Sequence, residues 1–153
     1  MLITSQSFFL KINASFPIFD ETQFRRVYES HKDSISPALL AHVYAITLVF
    51  WQCSPVLKQL PCPEIYPIWA QTENAYNAEA FCTPAISTII TLLLNLSGRP
   101  STHSLGNTGW LGTAVGYANA FGLNQDPSAW RLSPTEKSFR IRIWRLLLIY
   151  DRW

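Results

Sequence analysis

The stretch from Ala38 to Trp51 constrains this chain more than any other. It is apolar except for His42 and Thr47, and Pro37 and Pro55 bound it. Ser36-Pro37 opens it as a helix: a capping side chain, then proline at the first helical position, where the missing N–H costs nothing. A helix that is apolar nearly all round has to be covered on every side. A membrane span needs about 20 residues. This run falls short of that, so it reads as a buried core helix. A chain with such a helix at its centre needs other helices or a sheet around it, and the rest of the sequence offers helices.

The signals for those helices are explicit. Asp20-Glu21-Thr22-Gln23 is a capping box, followed by Phe24, Val27 and Tyr28 on one stripe. Residues 54–64 hold three prolines and predict a loop. A helix is expected from Ile65 to Phe81, with Ile65, Ile68, Trp69, Thr72 and Tyr76 along one side. Thr83-Pro84 repeats the cap-then-proline start. That helix is expected to end near Ser97, with Gly98 in a left-handed turn. A polar loop is expected over 99–107. Thr108 then caps a helix to about Phe121, stopped by Gly122, with Trp110, Leu111, Ala114, Val115, Ala118 and Phe121 on its apolar side. Gly112, Gly116 and Ala120 recur every four residues and predict the close approach of a second backbone. Asp126 before Pro127 reads as a turn-closing carboxylate, and Trp130 should fold back onto the core. Ser133-Pro134-Thr135-Glu136 is a capping box, opening a last helix with Phe139, Ile143, Leu146, Leu147 and Tyr150 on its apolar stripe. No cap signal closes that helix before Trp153. The expectation is an irregular all-α domain of about six helices, a fragment continued beyond its C-terminus. The 153 residues favour one domain.

Charge separates the last helix from the rest. Arg131 to Trp153 carries six cations against two anions, whereas the first 130 residues carry six against eight. Two readings follow: a solvated helix face, or a contact surface for phosphate or an acidic partner. Charged residues make up only 14% of the chain against about 25% in a typical domain, so part of its surface is expected to be covered by something else.

Reactive chemistry is sparse. Cys53, Cys62 and Cys82 show no metal-ligand spacing, and an odd count argues against a closed disulfide framework; they read as reduced, buried thiols. Gly106-Asn107-Thr108-Gly109 lacks the spacing and lysine of a phosphate loop. His42 reads as a satisfied core histidine, and neither His31 nor His103 has a partner in the sequence. Glu73 and Glu79 fall on expected exposed sides, and Trp51, Trp69, Trp110 and Trp144 read as core. The sequons at Asn13 and Asn95 follow no convincing signal peptide. No catalytic, cofactor-binding or metal-ligating residue is assigned. The residues alone leave open a stand-alone helical ligand-binding or protein-interaction module; an enzyme would need an acid–base pair or metal cluster that does not stand out here.

The second half adds a resemblance. Trp110, Ala114-Val115, Ala118, Phe121-Gly122-Leu123-Asn124, Asp126-Pro127 and Trp130 precede Leu132-Ser133-Pro134, Glu136, Arg140, Arg142-Ile143-Trp144 and Asp151-Arg152. Earlier come Phe16-Pro17-Ile18-Phe19-Asp20, Leu39-Leu40-Ala41 and Tyr44-Ala45. In order and spacing, roughly residues 8–153 resemble the regulatory middle homology region of fungal zinc-cluster transcription factors, also described as the xylanolytic transcriptional activator regulatory domain. Gly116 stands where that family usually has Arg, Asn124 replaces the usual His, and Arg145 replaces a second Trp.

The resemblance implies a partial all-helical regulatory domain over 1–153, from a nuclear protein that controls RNA polymerase II transcription. It implies no enzyme, no membrane and no cofactor in this chain. The family's zinc and DNA contacts belong to a six-cysteine cluster, none of whose ligands Cys53, Cys62 and Cys82 match. The implied partners are the rest of a longer transcription factor, other transcription regulators and a small-molecule effector.

Overall fold

Six α-helices form among the described residues, 7–98 and 104–152 of the computed structural model, and no strand does. They are α1 (Glu21–Ser30), α2 (Pro37–Thr47), α3 (Ile65–Cys82), α4 (Ile86–Gly98), α5 (Ser104–Ala120) and α6 (Pro134–Asp151). The all-α expectation therefore holds. Helix α2 packs against both α3 and α4, α4 against α5, and α5 against α6.

Three of the helices start where their capping side chains dictate. Asp20 accepts from Gln23 N at 2.8 Å, Ser36 from Leu39 N at 3.0 Å and Ser133 from Glu136 N at 3.2 Å. Each satisfies a backbone donor with no partner inside its helix. The apolar run beginning at Pro37 is α-helical to Thr47 and tightens into 3-10 turns over Leu48–Cys53. With α4 it makes the centre: Val43, Ala45 and Ile46 face Ile89, Ile90, Leu92, Leu93 and Leu94 within one cluster. Helix α5 ends as expected. Gly122 has φ +68°, and Leu123 N–H reaches back to Ala118 O at 2.8 Å, the glycine-stopped Schellman arrangement. Asp126 closes its turn through Ser128 N at 2.9 Å, and Trp130 folds back over Gly122 and under the Arg140 guanidinium.

Several expectations fail for identifiable reasons. Thr83 ends α3 rather than starting α4: its N–H bonds Glu79 O at 2.8 Å. Helix α4 begins at Ile86, because Thr88 caps it in reverse by accepting from Ala85 N at 3.0 Å. Helix α5 begins at Ser104, ahead of the expected cap Thr108. Its first turn forms despite the poor propensity of Gly106 and Asn107 and with Leu105 78% exposed; further along, Trp110 stands edge-on to Tyr76 and Tyr117 Oη donates to Ala80 O at 3.0 Å, both tying α5 to α3. The rest of the expected loop, 99–103, lies outside the described residues, as do His103 and Trp153.

The glycines exchange roles. Gly98 is not left-handed; Gly122 is the one positive-φ residue among those described. A Cβ on Gly98 would fall 2.2 Å from Ile46 Cγ1, so the glycine lets the Ile46 side chain of α2 pack directly on the α4 backbone. At Gly112 and Gly116 a Cβ would meet nothing within 4 Å, and Ala120 is exposed. The stripe on α5 therefore faces open space.

One element carried no helical signal. Phe8–Asn13 forms a π-helical segment that buries Phe8, Phe9 and Ile12. Phe8 contacts Phe19 and Phe9 contacts Phe24, with ring centroids 5.9 and 5.5 Å apart. Asn13 then holds the returning loop through both Phe19 N and Phe19 O.

Candidate functional site

Three groups of polar side chains stand out, and they differ in whether the fold has already used them. The deepest lies between α2, α3 and α4. His42 is fully buried, and its Nδ1 lies 2.9 Å from Ala38 O. That carbonyl can only accept, so Nδ1 carries the proton and Nε2 is left to accept from Asn95 Nδ2 at 3.4 Å. Burial holds the imidazole neutral and lowers its pKa to about 4. Trp69 meets the ring edge-on. Trp69 Nε1 and Asn95 Oδ1 are buried without a hydrogen-bond partner. His42 is thus a core histidine, as its setting in an apolar helix predicted, and Asn95 is a core residue rather than an accessible sequon.

The second group was missed by sequence reasoning. Glu79, expected on an exposed side, is half-buried where α2 starts, α3 ends and α4 starts. It accepts from Ser36 Oγ, from Ser87 Oγ at 3.4 Å and from Thr88 Oγ1 at 3.2 Å. Only the fold brings these hydroxyls, far apart in sequence, onto one carboxylate. The cluster ties three helix ends together.

Other candidates are scattered. Cys53, Cys62 and Cys82 are all exposed and free, which corrects the expectation of buried thiols. Two sit in the turns and proline-rich loop after α2 and one at the last turn of α3, where side chains point outward. No group of three His, Cys, Asp or Glu able to hold a metal occurs among the described residues. Trp69 is core, whereas Trp51, Trp110 and Trp144 are half-buried. No helix among the described residues is long and apolar enough to cross a membrane.

The third group lies along α6, where two concavities share Arg142. A cleft of about 240 Å³ opens between α1 and α6. Phe24, Val27, Leu39 and Phe139 give it an apolar floor, and Asp20, Glu136 and Arg142 a polar rim. It is smaller than the ~300–1,000 Å³ of most small-molecule sites. A wider groove of about 600 Å³ runs on the other side of Arg142, between α6 and the Ser15–Pro17 loop. Arg140 and Lys137 are committed to the fold. Arg140 bonds Glu136 at 3.0 Å and Phe121 O at 3.3 Å, and Lys137 donates to Ser128 O at 2.7 Å. The basic character of this segment was legible in sequence; which cations stay available was not.

Comparison with known proteins adds what the geometry lacks. The model of the family described as the fungal specific transcription factor domain matches residues 5–153. An uncharacterized transcriptional regulatory protein of Schizosaccharomyces pombe is 27% identical over 146 residues, 95% of this chain and 22% of that protein. The transcriptional activator protein DAL81 of Saccharomyces cerevisiae is 29% identical over 149 residues, 95% of this chain and 15% of its own length. The chain therefore spans less than a quarter of either relative. No solved structure matches.

Proposed function

The chain belongs to the fungal specific transcription factor domain family, and from that premise we propose that it is the regulatory region of a larger transcription factor acting in the nucleus on RNA polymerase II transcription. The observation that carries this reading is the family match over residues 5–153, together with two relatives named as transcriptional regulators of which the chain covers 22% and 15%. On this reading DNA recognition and zinc belong to another part of such a protein. This chain contributes control rather than catalysis, and works alongside the remainder of the factor and other transcription regulators.

Control by such a domain is a population shift: an effector biases the factor only as far as it binds one arrangement better than the other. Moving an equilibrium from 1:99 to 99:1 takes about 5.5 kcal/mol of differential affinity. At about 240 Å³ the cleft between α1 and α6 has room only for a compact effector; we assign it that role because it joins elements from opposite ends of the chain over an apolar floor.

A reporter assay tests the reading. The chain is placed between a heterologous DNA-binding domain and an activation segment in yeast. Reporter output is expected to change when the folded chain is present, and to return to baseline with Leu93→Asp, which breaks the core. Equal output with folded and unfolded chains overturns it. So does stoichiometric zinc, or salt-sensitive sequence-specific DNA binding, on the purified chain.

A further inference from the structure

Helix α6 has two sides, and the fold consumes one. Ile143, Leu146 and Leu147 are buried in the core, with Phe139 and Tyr150 packed against it. At helical spacing Ser138, Ile141, Arg142, Arg145, Ile149 and Arg152 fall within an arc of about 100° on a different side. That arc holds three arginines, two isoleucines and no carboxylate; the helix's own acids, Glu136 and Asp151, lie elsewhere on the wheel. Arg145 and Arg152 are exposed and have no carboxylate partner among the described residues. Arg142 makes one long contact, from Nη1 to Pro17 O at 3.5 Å.

This side is a groove rather than a flat surface. Phe16 and Pro17 form its far wall, and Ile141, Leu146 and Ile149 line the helix side. Phe16 is held in place by stacking on Tyr150, with centroids 5.9 Å apart. Ile149 is 50% exposed, an aliphatic side chain left in water between the exposed Arg145 and Arg152.

We propose that this groove docks a segment of a partner protein that is acidic and amphipathic, with carboxylates and large apolar side chains repeating at helical spacing. Charge complementarity selects it. Carboxylates meet the Arg142, Arg145 and Arg152 row, and guanidinium forks bind carboxylates in two-point geometry. Apolar side chains between them cover Ile141, Ile149 and Phe16. A nucleic acid fits less well, because a phosphate backbone leaves the isoleucines uncovered and the lining aromatic, Phe16, is half-buried with its ring stacked on Tyr150. A symmetric second copy fits less well still, because a two-fold contact would set arginine row against arginine row.

The test is fluorescence anisotropy on the purified chain. The probe is a labelled helical peptide with Leu and Glu at i, i+3 and i+4. Controls are its Glu→Gln version, its Leu→Ser version and a labelled DNA duplex. The Leu/Glu peptide is expected to bind, more weakly as salt rises, and both altered peptides to bind more weakly. The double variant Arg142→Glu/Arg145→Glu should lower its affinity by about tenfold or more, and Ile149→Ser should lower it too. Arg26→Glu, a charge reversal on exposed α1, should leave affinity unchanged, and all variants should keep the wild-type melting curve. Four outcomes overturn the proposal: no binding of the Leu/Glu peptide, equal binding of the Gln peptide, equal loss with Arg26→Glu, or preferential binding of DNA at the same arginines. Light scattering that shows a dimer broken by the arginine reversals overturns it in favour of a second copy.

Discussion

Helices α4 and α5 lie side by side, and both combine apolar residues with hydroxyls and glycine, yet they spend those residues in opposite ways. In α4 every residue from Thr88 to Asn95 is buried, polar ones included. In α5 the buried residues are Ala114 and Ala118. Thr91 of α4 turns its hydroxyl back to Ser87 O, and Asn95 meets His42 inside the core. Thr113 of α5 bonds Gly109 O in the same way but in water. The lesson is that residue type on a helix does not tell whether a side is in contact. What decides is which sides the neighbours cover: α4 lies between α2 and α5 and is enclosed from Thr88 to Asn95, whereas α5, though it touches α3, α4 and α6, leaves the Gly112, Gly116 and Ala120 stripe uncovered.

The largest expected effect breaks the inner helix. Leu93 is 1% exposed at the middle of α4. Leu93→Ala should cost about 2–5 kcal/mol, read from chemical denaturation midpoints at constant m-value. The exposed Leu105 of α5, truncated in the same way, should move stability by less than about 0.5 kcal/mol. Comparable losses would mean that α5 is covered in solution.

Acid should strike the inner pair next. His42 has a folded-state pKa of about 4 against 6.5 for the free side chain. Its neutral form is therefore what the fold accommodates. The stabilisation is fully present above pH 6.5 and is lost as pH falls from 6.5 toward 4, where the unfolded chain takes up a proton that the folded one refuses. The whole window amounts to about 3 kcal/mol. Denaturation midpoints at pH 7 and pH 5 sample the upper part of it, above the range where carboxylates mostly titrate. His42→Gln should flatten that difference, and an unchanged slope would show that His42 is not the group responsible.

Much of this architecture was legible in the residues, and the misses share one cause. Caps at Asp20, Ser36 and Ser133, the stop at Gly122 and the Asp126 turn were readable because each is decided within a few residues of itself. The resemblance in the second half was readable for a similar reason, since its order and spacing run along the chain. Glu79 was not, because its three hydroxyl partners come from α2 and from the start of α4. The exposure of Cys53, Cys62 and Cys82 was not, because cysteine's usual burial says nothing about which turn a given one occupies. The π-helical segment at Phe8–Asn13 was not, because its warrant is the packing of Phe8 and Phe9 on Phe19 and Phe24. In α6 the basic arc was present in the helical spacing, but only the fold separates Arg140, tied to Glu136 and Phe121, from Arg145.

The glycines give the sharpest and smallest test of the comparison. In α4 a methyl group at Gly98 has to displace Ile46, a buried and β-branched side chain with little rotamer freedom. Gly98→Ala should cost about 1–3 kcal/mol through overpacking. The strain should couple to its cause: Gly98→Ala combined with Ile46→Ala should be less damaging than the two single effects added together. In α5 the same substitution meets open space at Gly112. There the only change is the loss of glycine's unfolded-state freedom within a helix, worth up to about 1 kcal/mol in favour of the fold. Gly112→Ala should therefore raise Tm by about 2–4 °C. The two substitutions are chemically identical and differ only in what lies across from the glycine, so opposite signs in one set of thermal melts would establish that α4 and α5 differ in neighbours. If Gly112→Ala instead destabilises as Gly98→Ala does, a neighbour packs on the α5 stripe in solution.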